Sequence, residues 1–283
     1  MKLNEIAKEI REVVSSRQKE LELEFYEDEH IYHMKDMDGT VRNDFPSVSK
    51  VIKKFYKEFP TEQAALKKAN GNLKRQQELI EEWAASGEYS TNLGSRVHYY
   101  LEKKVIDLNG KYKEVRQPIF ECDLNQIVKS DSMIKAGEKY LKLMKERNGC
   151  LLDTEMVLGD PEIGYTGQPD KVWIIENKDK TDYGLLITDW KTNKPKNFQE
   201  NDFTERMFSP FEKYPSTALG HYYIQLPLYG KLLLKMLKGS KFENLKLYGC
   251  IVVHLKENSD FDEYRVPKEV ITTVLNMDMK NYL

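Results

Sequence analysis

Two aspartates and a lysine carry the clearest chemical signal in this chain. Gly167-Gln168-Pro169-Asp170 is followed nineteen residues after Asp170 by the aspartate of Ile187-Thr188-Asp189-Trp190-Lys191-Thr192. In an extended strand, side chains two apart share a face, so Asp189 and Lys191 stand together while Thr188 and Trp190 point the other way. If the strand carrying Asp170 pairs with the strand carrying Asp189, a second carboxylate joins them. Two hard oxygen donors beside an ammonium group suit Mg²⁺ or Mn²⁺ and the hydrolysis of a phosphodiester. The same residues can also stand as two exposed hairpin carboxylates and a solvated lysine.

Upstream, Gly94-Ser95-Arg96-Val97-His98-Tyr99-Tyr100-Leu101-Glu102 lies in a segment that reads as a helix from about Asn92 to Val105. His98 and Glu102 are four apart and share a helical face. Leu93, Val97, Leu101 and Val105 form an adjoining apolar stripe that can dock on a sheet. Taken alone, the pair reads equally as a surface histidine beside a surface glutamate. A third element, Tyr222-Tyr223-Ile224-Gln225-Leu226-Pro227-Leu228-Tyr229, opens a strongly apolar run. Gln225 and Tyr229 share one face of it, and Pro227 places the helix start at about Tyr222 to Gln225, where a missing N–H costs little.

Taken in order, G-x-x-x-H-x-x-x-E, G-x-x-D, D-x-K-T and Q-L-x-x-Y resemble the RecB-like branch of the PD-(D/E)xK nuclease superfamily. Within it, the chain looks most like stand-alone phage-type exonucleases and the mitochondrial genome maintenance exonuclease. The resemblance takes in the Phe25 to Met34 hairpin, Phe45-Pro46-Ser47-Val48-Ser49 and Glu82-Trp83, and covers most of residues 25–275. It implies a restriction-endonuclease-like α/β core, a central mixed β-sheet flanked by helices. It further implies that His98, Asp170 and Asp189 are metal ligands, with Glu102 a ligand or catalytic group close behind them. Lys191 would orient or activate the attacking water, while Gln225 and Tyr229 would brace the site or touch the substrate backbone. Glu155 matches an acidic position of the family, although a strand-end glutamate is often simply solvated.

The implied activity is that of a hydrolase, a metal-dependent deoxyribonuclease acting in DNA processing, replication or recombination. An exonuclease on single-stranded or end-exposed DNA is the expectation. The alternatives are an endonuclease of the same fold and a catalytically inactive DNA-binding module. Some RecB-like nucleases hold an iron-sulfur cluster on four cysteines. This chain has three, Cys122, Cys150 and Cys250, far apart in sequence, so no cluster is expected and reduced thiols fit better than disulfides.

Composition sets broader bounds. With 283 residues, 40% hydrophobic and 32% charged, the chain can bury a full core. It has no run of eighteen apolar residues and no signal-like start, so a cytoplasmic protein of a bacterial or phage-infected cell, with no membrane partner, is expected. A net charge of -2 supplies no bulk attraction to nucleic acid, so DNA must be gripped by local patches. Candidates are Lys53, Lys54 and Lys57, then Lys67, Lys68, Lys74 and Arg75, and above all Lys194 and Lys196, which follow Lys191.

The elements that must position these residues follow from periodicity. An N-terminal amphipathic helix and a hairpin precede helices at about Thr61–Ser86, Asn92–Ile106 and, beyond an irregular stretch through Pro118, Ser130–Arg147. Strands at about Leu151–Leu158, Gly167–Glu176 and Leu185–Trp190 form a meander, followed by the Gln225 helix, a strand at Leu245–His254 and a closing helix at Pro267–Leu283. The chain therefore reads as one nuclease domain, residues 1–283, with an N-terminal elaboration at 1–90 and a catalytic core at 91–283. Between strand and helix, Pro195 to Leu219 carries Phe198, Phe203, Phe208, Phe211 and Tyr214. It reads either as a lid that stacks on unpaired bases or as a loop packed down by its own rings.

Overall fold

The first helix, α1 (Leu3–Glu20), turns its apolar stripe inward and buries Ile6, Ala7, Ile10 and Val14. In this computed structural model residues 3–27, 29–109, 120–201 and 204–283 are described. After α1 come β1 (Glu24–Tyr26), β2 (Ile31–Lys35) and β3 (Val41–Arg42), then a short α2 (Val48–Val51) and α3 (Thr61–Lys68). Two long helices follow, α4 (Leu73–Asn109) and α5 (Leu124–Glu146). Next are β4 (Cys150–Thr154), β5 (Leu158–Asp160), β6 (Tyr165–Gly167), β7 (Lys171–Glu176) and β8 (Tyr183–Lys191). The chain closes with α6 (Ala218–Met236), β9 (Leu247–Leu255), β10 (Phe261–Arg265) and α7 (Lys268–Asn276).

Five strands form a mixed sheet in the order β10-β9-β8-β7-β4. β4, β7 and β8 run as an antiparallel meander, and β9 lies parallel to β8. A parallel neighbour needs a crossover, which α6 supplies. Alternation along each strand gives the sheet two apolar faces. Val172, Ile174, Leu185, Ile187 and Val252 pack on the side of α1, α2 and α6. Trp173, Leu186, Trp190, Ile251 and Val253 pack against Leu93, Val97 and Leu101 of α4 and Met133, Ala136 and Tyr140 of α5. Burial on both faces explains why Gly184 to Trp190 reads as an almost unbroken apolar run, each such side chain contributing about 1.5–3 kcal/mol.

Local chemistry sets several element ends. The Asp123 side chain accepts from the Gln126 backbone while Gln126 reaches back to the Asp123 amide, a reciprocal cap that starts α5 six residues before the predicted Ser130. Thr217 caps α6, which therefore begins earlier than predicted and carries Pro227 in its interior. The two helices predicted at Thr61–Ser86 and Asn92–Ile106 are instead a short α3 and a continuous 37-residue α4. The break falls at Asn70 and Gly71, both left-handed with φ of 49° and 80°, and not at Gly87, which the helix runs through. The side chain of Val105 and residues Pro118 and Phe203 lie outside the described set.

The predicted strands Leu151–Leu158 and Gly167–Glu176 are each split. Glu155 turns the chain with φ 46°, so that β5 and β6 separate off as a two-stranded ribbon at the end of the sheet. The predicted closing helix shortens to α7, and β10 was not foreseen, since its sequence Phe261-Asp262-Glu263-Tyr264-Arg265 is too polar for a buried strand. The boundary drawn at residue 90 falls inside α4, and residues of α1, β2 and α2 share one core with β7 and β8.

Candidate metal centre and its lysine pair

Register brings three carboxylates level at one end of the sheet. Lys171 of β7 pairs with Thr188 of β8, so Asp170, one residue outside β7, comes opposite Asp189. Thr154 of β4 pairs with Lys171, so Glu155 comes opposite Asp170, and its amide donates to the Asp170 carbonyl at 3.2 Å. The Trp190 backbone N–H donates to Asp170 Oδ2 at 2.6 Å and fixes that carboxylate. Helix α4 crosses this end and sets His98 Nδ1 3.2 Å from Asp170 Oδ1.

One donor atom each from His98, Glu155 and Asp170 lie within 4.8 Å of one another. The group opens into a cleft of about 730 Å³ that Glu102, Ser95, Tyr99 and Tyr229 also line. Two carboxylate oxygens and an imidazole within a divalent ion's reach fit Mn²⁺ or Mg²⁺, the imidazole favouring Mn²⁺. Glu155, the softest of the sequence candidates, thus joins His98 and Asp170. Asp189 stands outside that trio and is ion-paired through Oδ2 with Lys191. Lys191 also lies over the Tyr222 ring, 4.5 Å from its centroid, and the Tyr222 hydroxyl donates to Asn193 Oδ1 at 2.9 Å.

Gln225 Nε2 donates to the Tyr229 hydroxyl at 2.9 Å, as their shared helical face predicts. Tyr229 is held against Gly167, where an added Cβ would come within 2.7 Å of both Tyr229 Cε1 and Val48 Cγ2. The glycine of G-x-x-D therefore makes room for the tyrosine of Q-L-x-x-Y. Lys194 is exposed just past the end of β8.

Among the described residues of Pro195 to Leu219, none lines the cleft. Phe198 and Phe211 are buried, Phe211 edge-on to Phe55, and Tyr214 donates to Glu269. Of that segment's described aromatics only Phe208 is largely exposed, and none lines the cleft. The phenyl and phenol rings that line the cleft come instead from Phe25, Tyr32, Tyr99, Phe120 and Tyr229.

Sequence reasoning missed Lys171. Its side chain is fully buried, donates to Thr154 Oγ1 at 2.9 Å and to the Asp170 carbonyl at 3.1 Å, and lies over the Trp190 ring. A lysine directly after Asp170 in an otherwise apolar strand was the available signal.

The electrostatics are unequal across the carboxylates. Burial pushes Glu155 up, the Asp170 charge adds to it, and the group reaches about 8. Burial also raises Asp189, again with Asp170 adding to it and Lys191 opposing. Burial works against Asp170 as well, yet His98, Lys191 and Lys171 outweigh it and hold that carboxyl well below the usual range. Burial pulls His98 down, but the adjacent Asp170 more than compensates and the net direction is up. Lys191 behaves likewise, with Asp189 and Asp170 carrying it above the ordinary lysine value. Pairs of groups driven apart in this way are characteristic of sites that bind metals or transfer protons.

No described helix is long and apolar enough to cross a membrane. No protein-family model and no curated protein matches the chain.

Proposed function

We propose that the chain is a divalent-metal-dependent deoxyribonuclease with a restriction-endonuclease-like core of the RecB-like branch, acting as an exonuclease on single-stranded or end-exposed DNA. The observation that carries this reading is the convergence of His98, Glu155 and Asp170 within 4.8 Å, next to the Asp189 and Lys191 pair on the neighbouring strand. His98, Glu155 and Asp170 would hold a Mg²⁺ or Mn²⁺ ion, which would supply an acidified water and positive charge for a phosphate oxygen. The Trp190 amide fixes Asp170 for that role, and His98 and Glu155 would complete the cation side of the site. Lys191, steadied by Asp189 and the Tyr222 ring, would orient the attacking water and offset charge developing on the phosphate, help generally worth about 2.7–4 kcal/mol. Gln225 and Tyr229 brace the floor through Gly167.

The test is incubation of end-labelled single- and double-stranded DNA with Mg²⁺ or Mn²⁺, comparing linear with closed circular forms. Metal-dependent shortening of linear strands from their ends, abolished by EDTA and by Asp170→Asn, is expected. Rapid cutting of circles would make it an endonuclease. Binding of DNA without cleavage in either metal would make it a non-catalytic module.

A further inference from the structure

A second cleft, of about 500 Å³, lies further towards the start of helix α4, between Ser86, Gly87 and Ser90 of that helix and the Thr192 to Asn197 segment that leaves β8. The two meet where Gly94 of α4 touches the segment leaving β8, since a Cβ added at Gly94 would stand 3.1 Å from Thr192 Oγ1. Their chemistry is opposite. The first is lined by the carboxylates of Glu27, Glu102, Glu155 and Asp170, the groups of a cation site. The second is lined by Lys194, Lys196 and Lys129 against one carboxylate, Glu257, which Lys129 already pairs at 3.2 Å. Lys194 and Lys196 are exposed and have no ion-pair partner among the described residues. Thr91 and Thr192 also line it and bring hydroxyls to the same wall.

Resting on the nuclease reading, we propose that this basic cleft is a subsite for the phosphodiester backbone of the substrate strand, held by Lys194 and Lys196 next to the point of cleavage. The same helix lines both clefts, with His98 in one and Ser90 in the other. Eight residues of helix separate them, about 12 Å. A strand that covers this distance therefore carries further phosphates past the one at the carboxylates and into the basic cleft. Charge complementarity selects the occupant, because uncompensated lysines beside donor hydroxyls attract an anion with many oxygens. The acidic cleft repels that anion until a cation is bound. The grip falls on the backbone and not on bases, so it is indifferent to sequence.

The experiment compares the wild type with the double variant Lys194→Gln/Lys196→Gln on a 20-mer and on a dinucleotide, across a range of salt. Each phosphate contact contributes about 0.7 to the slope of log affinity against log salt for a single strand. The double variant should lower the 20-mer slope by about 1.4, raise KM for the 20-mer several-fold and flatten the preference of 20-mer over dinucleotide. Lys178→Gln/Lys180→Gln, in the turn at the far end of the sheet, carries the same change in charge and should leave the slope as it is. An active wild type whose slope, KM and length preference survive the Lys194/Lys196 change overturns the subsite alone. A wild type that neither cuts nor binds DNA overturns the nuclease reading, and the subsite falls with it.

Discussion

His98 and Asp170 meet at 3.2 Å although one comes from the middle of a 37-residue helix and the other from the turn ahead of a strand. Their contact ties α4 to the end of the sheet and pairs an imidazole with a carboxylate where a divalent cation is proposed to sit. His98→Ala should weaken Mn²⁺ binding more than Mg²⁺ binding, since imidazole suits the softer ion. Calorimetric titration with each ion checks this, and equal losses would assign His98 to the helix or to the DNA.

The pH dependence follows from the direction of the shifts. Glu155, raised to about 8, and His98, also raised, hold extra protons in the folded, metal-free state. Their contribution to stability is fully present below their unfolded values and is lost as pH rises through the folded ones. Asp170, lowered, contributes above the ordinary aspartate value and loses its effect only in strong acid. A cation must displace the protons on Glu155 and His98, so its binding tightens towards pH 8. The rise in Tm on adding Mn²⁺ should be larger at pH 8 than at pH 6. An equal rise at both would remove Glu155 from the ligand set.

Glu155 has left-handed backbone, φ 46°, at the place where β4 turns into the ribbon. A side chain there carries a steric cost that glycine escapes. Glu155→Gly should therefore be more stable than Glu155→Ala by about 1 kcal/mol in urea unfolding, with the Mn²⁺-induced stabilisation reduced in both. If alanine were the more stable, the turn would not be strained.

Gly167→Ala should destabilise by about 1–3 kcal/mol, because its methyl meets two well-packed side chains. Pairing it with Tyr229→Leu should cost less than the sum of the single changes if the ring is what the glycine accommodates. Additive losses in a denaturant double-mutant cycle would place the strain at Val48.

Lys191→Met should lower cleavage by about 10²–10³-fold, the usual effect of removing one charge-stabilising donor, while Mn²⁺ binding is largely kept. Asp189→Ala should abolish cleavage and, if Asp189 joins the ligands when an ion binds, weaken metal binding as well. Single-turnover rates and calorimetry separate the two effects. Full activity in either variant would end the catalytic assignment.

The sheet end was legible because two-residue periodicity and the G-x-x-D and D-x-K motifs fix which carboxylates face one another once strands pair. Asp170 was expected opposite Asp189 on the condition that their strands pair, which they do, and the shared helical face of Gln225 and Tyr229 became a hydrogen bond. Glu155 was harder to place, because its position depends on a left-handed turn that no composition rule selects. The buried role of Lys171 depends on Thr154 and Trp190, which are brought to it only by tertiary pairing. Phe198 and Phe211 left two readings open, since aromatic rings in a long loop look the same in sequence whether they stack on a ligand or fill the core, and their burial favours the second.

Helix α1 bears on how the chain is made. Arg11 Nη1 donates to the Leu152 carbonyl at 2.7 Å and Gln18 Nε2 to the Val157 carbonyl at 2.8 Å, partners 141 and 139 residues later. Its apolar face also joins a core completed by α6 and β9, which are later still. During synthesis α1 leaves the ribosome before these partners exist, and its stripe cannot dock on them until the meander and α6 have emerged. Contacts of such high sequence separation slow folding and lengthen the time during which apolar surface is open to other chains. Overproduction should therefore favour slow translation at low temperature, and the nascent chain is expected to lean on chaperones that bind amphipathic helices.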